Sequence, residues 1–166
     1  MSPRWRRRPA PEDVVALAAD RGTLLAWGRT AAGLPVMATD RCLLVPEGPS
    51  ARELPWHWID RATWEPPTLA VHFRDPGSGS PRSLRLALQD HGELPPIIRQ
   101  RVTRSVVTSR RVDLPTGAGA VLAARRDPAG DITWTVVFDA GVDAADPVLQ
   151  AQAREALADF RRSLGV

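Results

Sequence analysis

The chain has 166 residues, 43% of them hydrophobic and 25% charged, which is ordinary composition for a folded domain with a proper core. All 22 basic residues are arginine and tyrosine is absent, so the isoelectric point near 10.7 reflects missing buffering groups. Four arginines lie within residues 4–8, and the remaining 18 arginines are balanced in number by 19 acidic residues. The body of the chain is therefore not strongly basic.

The apolar runs of this sequence are far shorter than the roughly 20 residues that cross a bilayer. Glu12 and Asp13 separate the N-terminal arginines from the apolar run 14–19, which is not the pattern of a signal peptide. We therefore expect a cytoplasmic protein with no transmembrane segment. The single Cys42 cannot form an internal disulfide, so packing must hold the fold.

Residues 1–11, MSPRWRRRPAP, lack hydrophobic periodicity and predict a flexible basic arm. A short helix is predicted over 11–20, where proline and two acids precede apolar residues at helical spacing. From residue 23 onward the hydrophobic pattern changes from helical spacing to short apolar or alternating runs, which indicates a series of short strands. These strands are predicted over 23–29, 34–38, 42–45, 52–56, 61–65, 69–74 and 83–88.

The second half begins with a helix that opens at Pro95 and is predicted to run to about Val107. Further strands are predicted over 112–114, 118–124 and 132–139. The last element is an amphipathic helix with Asp146 as its cap, Pro147 in its first position and a single apolar stripe. We expect one domain over residues 12–166, of mainly β (α+β) class.

A meander of short antiparallel strands with a terminal helix indicates a strongly bent sheet or a barrel. Within it, VMATDRCLLV and ELPWHWIDRATW resemble bacterial pleckstrin-homology-like (PH-like) domains, in which a turn with threonine and arginine joins two strands. A proline, an aromatic residue and an Ile-Asp pair then lead into the next strand. The matching positions are Thr39, Arg41, Pro55, Trp56, Ile59 and Asp60. TRSVVTSRRVDLP and DITWTVVFDAG extend the likeness to uncharacterised actinobacterial proteins of this type.

The resemblance implies a PH-like antiparallel sheet or barrel with an inserted helix and a C-terminal helix. It implies a fold more than an activity. Phosphoinositide-binding members of the wider superfamily gather several basic residues in the first strand connection. Here that connection, residues 28–33, holds a single arginine, Arg29. This departure from the pattern argues against head-group binding.

The stretch LPWHWIDRATWEP, residues 54–66, holds three of the six tryptophans and one of the three histidines. If this stretch is extended, Trp56 and Trp58 share a face. A protein with three phenylalanines and no tyrosine uses such rings as core, so we favour core or a half-buried rim over a ligand platform. His57 has no second histidine or cysteine at ligand spacing, which argues against a metal.

No motif in the sequence indicates catalysis. HxH, HxxxH, CxxC and GxSxG are all absent, and Cys42 lies in an apolar run where a small buried side chain is expected. Asp139, Asp143 and Asp146 crowd one loop but lack the alternating ligands of a calcium site. The sequence therefore predicts no enzyme, no metal and no cofactor.

Two basic features remain. The arm mixes arginine with an aromatic ring, a combination that can bind phosphate backbones or an anionic membrane, although a solubilising tail is the simpler interpretation. Its residues are Arg4, Trp5, Arg6, Arg7 and Arg8. The second feature is a run with no acid between 93 and 113, either a solvated surface or a docking patch. Its residues are Arg99, Arg101, Arg104, Arg110 and Arg111.

These features together indicate a non-enzymatic binding or adaptor module. We expect it to dock a protein or peptide, either at an exposed sheet edge or along the basic helix. The alternative is electrostatic binding to nucleic acid or an anionic membrane through the arm and the basic helix.

Overall fold

The computed structural model describes residues 8–166, which form ten strands and three helices. The fold is mainly β, as the sequence predicts. The chain divides into two compact units, one ending at Thr103 and one beginning at Arg104. The single domain expected over residues 12–166 stays a prediction, because two compact units can belong to one domain or to two.

The first unit is a seven-stranded antiparallel sheet with a helix at each end of its sequence. The elements are α1 (Glu12–Ala18), β1 (Leu24–Thr30), β2 (Pro35–Thr39), β3 (Cys42–Glu47), β4 (Ser50–Pro55), β5 (Ile59–Glu65), β6 (Thr68–Arg74), β7 (Pro81–Asp90) and α2 (Leu94–Ser105). The strand order is β4-β3-β2-β1-β7-β6-β5. Because β4 and β5 are the outer strands, the sheet in the described residues is open rather than closed into a barrel.

The main core of this unit lies between the inner face of the sheet and α2. On β7, Leu84, Leu86 and Leu88 all pack into it, which confirms the predicted period-two pattern. Leu94 and Ile98 of α2 are almost fully buried in the same core. Each such aliphatic side chain contributes about 1.5–3 kcal/mol when fully buried. Helix α2 is therefore held against the sheet by its apolar face.

A second apolar cluster forms where α1 packs on β1–β3. Val14 of α1 is fully buried there with Met37 and Leu44, and Trp27 completes the cluster. Arg29 of β1 pairs with Asp13 of α1 through two hydrogen bonds of 2.9 and 3.0 Å. The helix predicted over 11–20 is thus present and covers the outer face of β1.

Thr39, one of the residues that carry the PH-like resemblance, organises the β2–β3 turn. Its buried hydroxyl accepts hydrogen bonds from the backbone N–H groups of Arg41 (3.2 Å) and Cys42 (3.1 Å), and it lies 2.8 Å from the Arg21 carbonyl. The Thr39 carbonyl accepts from Trp56 Nε1 at 3.0 Å. The Thr39–Trp56 pair therefore joins two distant parts of the resembling segment.

The second unit is a three-stranded antiparallel sheet followed by a long helix. Its elements are β8 (Val106–Asp113), β9 (Gly119–Arg126), β10 (Ile132–Phe138) and α3 (Pro147–Ser163), with β9 central. The Asp146 side chain accepts a hydrogen bond from the Val148 backbone N–H at 2.8 Å, as predicted for the cap. Leu149 and Ala153 of α3 pack with Leu114. The predicted C-terminal amphipathic helix is confirmed.

Two local details differ from what the sequence suggests. Residues 56–58 form a 3₁₀ turn, so the extended arrangement in which Trp56 and Trp58 would share a face is not present. Trp56 is buried while Trp58 is half-buried. The inserted helix ends at Ser105 rather than near Val107, because the β-branched residues that follow enter β8 and pair with β9.

Candidate functional site

A groove of about 660 Å³ lies in the first unit, between the beginning of β1 and the first half of α2. Most of its walls are apolar, with a few polar groups at the edges. The lining residues are Arg8, Leu24, Leu25, Ala26, Trp27, Gly92, Glu93, Pro96, Ile97 and Gln100. A concave apolar surface with a few polar groups is the common form of a binding site.

The groove exists because β1 is paired unequally along its two edges. On one edge it pairs with β2 from Leu24 to Arg29. On the other edge its ladder with β7 covers only Arg29 and Thr30, with an irregular register between them. Beyond that point β7 ends and the chain turns into α2. The groove therefore lies between β1 and α2, where β7 no longer flanks β1.

Two glycines let the turn before α2 approach β1 closely. A Cβ on Gly92, which has φ +47°, would lie 2.8 Å from the Trp27 carbonyl oxygen. A Cβ on Gly28 would meet the Asp90 carbonyl oxygen and a methyl carbon of Leu94. Any side chain at these positions would force the turn and the strand apart. These two glycines therefore fix one end of the groove.

Trp27 provides the largest side chain of the groove. It is only 9% exposed, and its buried Nε1 has no hydrogen-bond partner within residues 8–166. The guanidinium carbon of Arg8 lies 3.5 Å from the centroid of the indole, and that of Arg29 lies 5.9 Å away. A buried donor without an acceptor is unfavourable by about 1–3 kcal/mol. The indole N–H is thus a group that an acceptor from a ligand could satisfy.

Arg8 is fixed above Trp27 by Asp90 at the end of β7. Both guanidinium nitrogens donate to the carboxylate, at 2.9 and 2.6 Å. These bonds hold the pKa of Asp90 below its usual value and raise the pKa of Arg8. Both side chains are more than a third exposed, so solvent weakens the pair. The Arg8–Asp90 pair covers one side of the groove.

The predicted arm lies largely outside the described residues, which begin at Arg8. Arg4, Trp5, Arg6 and Arg7 therefore have no structural account. Arg8 lies in the groove, where its charge is paired with Asp90. The role of the arm in binding anions stays a prediction.

The predicted basic patch divides between the two units. Arg99 is exposed and Arg101 half-buried on α2 in the first unit. Arg104 belongs to the second unit, as do Arg110 and Arg111 on β8. Arg110 lies 4.7 Å from the Phe160 ring centroid, and Arg111 donates to Asp139 at 3.0 and 2.5 Å. The two β8 arginines therefore have intramolecular partners, and the patch as a docking surface stays a prediction.

Titratable side chains do not gather into a metal centre in the described part of the chain. No group of three or more His, Cys, Asp or Glu side chains is placed to hold a metal between residues 8 and 166. Cys42 is buried, and this burial raises the pKa of its thiol. A buried thiol held in its neutral form is a poor nucleophile.

None of the helices within residues 8–166 is both long and apolar enough to cross a membrane. Comparisons with protein-family models, with curated proteins and with solved structures give no match. The groove therefore has to be interpreted from its own geometry and chemistry.

Proposed function

We propose that this protein is a non-enzymatic binding module that docks an extended segment of a partner protein in the groove between β1 and α2. The observation that carries the proposal is the unequal pairing of β1, whose ladder with β7 stops at Arg29. An extended peptide can lie along this edge at residues 25–27 and bond to the backbone there, with no special side-chain chemistry. The facing helix supplies a second wall for the peptide side chains.

The lining residues define the chemistry of the bound segment. Leu25, Pro96 and Ile97 offer an apolar surface for one aliphatic or aromatic side chain. The indole N–H of Trp27 has no partner within residues 8–166 and can donate to a peptide carbonyl. Glu93, which lines the groove just before α2, favours a basic or neutral residue of the bound peptide over an acidic one. We therefore expect an extended segment with an apolar anchor and no acidic cluster.

The strand order also supports the PH-like interpretation that accompanies this proposal. Two antiparallel meanders, β1–β4 and β5–β7, are joined through the pairing of β1 with β7 and are followed by a helix that packs on their inner face. Docking of peptides along a sheet edge beside a helix suits such a scaffold. A cytoplasmic location, with a cytoplasmic protein as partner, is part of the proposal.

A test begins with peptides selected from a random display library against the full chain. Gln100→Trp places a large ring in the groove, while Thr103→Trp adds the same ring at an exposed position of α2 that does not line it. A selected synthetic peptide should bind with a Kd below about 100 μM. Gln100→Trp should weaken it at least about tenfold and Thr103→Trp less than about twofold.

Hydrogen exchange of the complex locates the peptide independently. Binding should slow exchange of backbone amides in 25–28 and leave the outer strands β4 and β5 unchanged. Equal affinities for the two tryptophan variants, or protection confined to another sheet edge, would contradict docking in the groove. If selection yields no binding peptide at all, the module does not recognise extended peptides.

The alternative function, electrostatic binding of nucleic acid or anionic lipid, is favoured by one observation. Arg99 and Arg104 are exposed and have no ion-pair partner within the described residues. Deleting residues 1–7 should then weaken binding of a 20-nucleotide DNA and reduce its salt slope by about 2–3. An unchanged slope would show that the arm does not take part.

A further inference from the structure

The outer face of β5–β7 brings three basic side chains together. Arg61 of β5 is directly opposite His72 of β6, which is opposite Ser83 of β7. Arg85 lies two residues after Ser83 on β7, at the next position on the same face, opposite Ala70. Directly opposed residues have Cβ atoms about 5 Å apart, and diagonal ones about 7–8 Å. His72 is therefore flanked by Arg61 on one side and Arg85 on the other.

These three residues, named here the His72 face, point away from the core. Val71 and Phe73, the chain neighbours of His72, are buried in the main core, so His72 projects from the opposite surface. Arg61 and Arg85 are exposed and His72 is half-buried. Their side chains are thus accessible from solvent on one side of the sheet.

The charge of the His72 face is not neutralised by nearby acids. Neither Arg61 nor Arg85 has an ion-pair partner among residues 8–166. Asp60, the carboxylate whose charge favours protonation of His72, is itself paired with Arg74 at 3.5 Å. Glu65 is four residue pairs along the ladder from Arg61, at the far end of β5. The face therefore presents an excess of positive charge.

Electrostatics around His72 agree with this geometry. Burial lowers the pKa of His72, and Arg61 and Arg85 lower it further, whereas Asp60 acts in the opposite direction. These effects favour the neutral form of the imidazole in the free protein. An anion placed between the two guanidinium groups would relieve their repulsion and favour the protonated ring.

We infer that the His72 face binds the phosphate group of a phosphorylated segment of a partner protein. A phosphate monoester carries nearly two negative charges at neutral pH, since its second pKa is about 6. Guanidinium groups match its oxygens through paired hydrogen bonds. The exposed hydroxyls of Thr63 and Ser83 lie in the same two rows of the sheet and can donate as well. Two arginines and a titratable ring suit a single compact dianion.

Other polyanions fit this face less well. Single-stranded nucleic acid on a sheet is held by aromatic rings on which bases stack. The positions between the arginines are instead Thr63, Ala70 and Ser83. An anionic membrane needs more charges, or an apolar side chain that inserts, and none of the large exposed hydrophobic residues found within 8–166 lies on β5–β7. This inference is independent of the groove beside β1.

The test uses the full chain and the capped peptide Ala-Ala-phosphoserine-Ala-Ala, followed by NMR of the His72 ring at low salt. We expect a saturable shift of the ring Cε1–H signal and a higher His72 pKa in the complex. Arg61→Gln with Arg85→Gln should weaken binding at least about tenfold. The control pair Arg126→Gln with Arg154→Gln removes the same charge at exposed sites of the second unit and should change the Kd of the phosphopeptide less than about twofold.

Several results would overturn the inference. One is the absence of saturation up to about 5 mM peptide, which corresponds to no useful affinity. Equal binding of the unphosphorylated serine peptide, or equal weakening by both arginine pairs, would show that phosphate is not recognised here. Tighter binding of phosphatidylserine vesicles or of a thymidine 15-mer that displaces the peptide would assign the face to a membrane or a nucleic acid instead. Melting curves of both variant pairs check that each is folded.

Discussion

The guanidinium of Arg8 lies 3.5 Å from the centroid of the Trp27 ring. Asp90 fixes it there with two hydrogen bonds, so an arginine, an indole and a carboxylate from three separate segments meet at one place. Arg8 and Trp27 both line the groove. Because Arg8 lines the groove, the strength of its pair with Asp90 influences access to the groove.

The first prediction concerns the pH dependence of the Arg8–Asp90 pair. Asp90→Asn should lower the free energy of unfolding at pH 7 by about 0.5 kcal/mol, a value discounted because both side chains are substantially exposed. The pKa of Asp90 in the folded state lies below its unfolded value of about 3.9. The contribution is therefore complete at neutral pH and is lost as the pH falls through the folded pKa.

Urea unfolding of both proteins at pH 7 and at pH 2.5 measures this difference. The two proteins should differ at neutral pH and converge in acid, provided that the fold is retained at both values. The control is Asp113→Asn, which changes an exposed acid of the second unit. Asp40→Asn would not serve as a control, because the Asp40 carboxylate accepts a hydrogen bond from the Thr23 N–H. A stability difference for Asp90→Asn that stays constant with pH would show that the carboxylate charge is not the cause.

The second prediction isolates the close approach of the turn before α2 to β1. Gly92 and Gly33 both have positive φ, but only at Gly92 would a Cβ meet backbone, 2.8 Å from the Trp27 carbonyl oxygen. Gly33→Ala should cost about 1 kcal/mol from its dihedral angle alone. Gly92→Ala should cost about 2–3 kcal/mol, since the turn must also move. Urea unfolding measures both, and equal losses would mean that the turn does not press on β1.

Much of this fold can be predicted because its local signals agree with each other. Asp146 and Pro147 mark the start of α3, and its apolar period indicates which face packs. Leu84, Leu86 and Leu88 alternate with polar residues, so the pattern of β7 has one interpretation. In these elements propensity, capping and burial all favour the same structure.

The boundaries of elements differ from the prediction where tertiary contacts override local preference. Trp56 has a side chain that is typical of strands, yet it lies in a 3₁₀ turn where its indole donates to the Thr39 carbonyl. The groove could not be found from a motif either. Its residues come from the N-terminal segment, β1 and α2, and only the register of β1 brings them together. The His72 face likewise depends on the register between β5, β6 and β7, which cannot be read from local sequence patterns.

The third prediction concerns the Thr39 hydroxyl. Thr39→Val keeps the shape of the side chain and removes an acceptor for the Arg41 and Cys42 N–H groups. Because Thr39 is fully buried, unsatisfied backbone donors should lower the free energy of unfolding by about 2–3 kcal/mol. Thr63→Val, at an exposed position of β5, should change it by less than about 0.5 kcal/mol. Similar losses in the two variants would contradict the role of the hydroxyl in the turn.

The fourth prediction tests the core of the second unit. Phe160 is only 3% exposed and lies edge-on to Trp134, with ring centroids 5.8 Å apart, while Arg110 lies over its face. Phe160→Ala should destabilise this unit by about 3–4 kcal/mol, because the helix cannot close the space that the ring leaves. Phe160→Leu should cost less than half as much, since most of the volume remains.

Hydrogen exchange resolves where the loss of stability from Phe160→Ala falls. Amides of the central strand β9, such as those of Leu122 and Ala123, should exchange faster, because their protection depends on the sheet that α3 covers. Val148→Ala, at a position of the same helix that is 56% exposed, should leave these rates unchanged. If β9 keeps its protection in Phe160→Ala, then α3 does not stabilise the three-stranded sheet through this ring, and the contact between Phe160 and Trp134 is energetically unimportant.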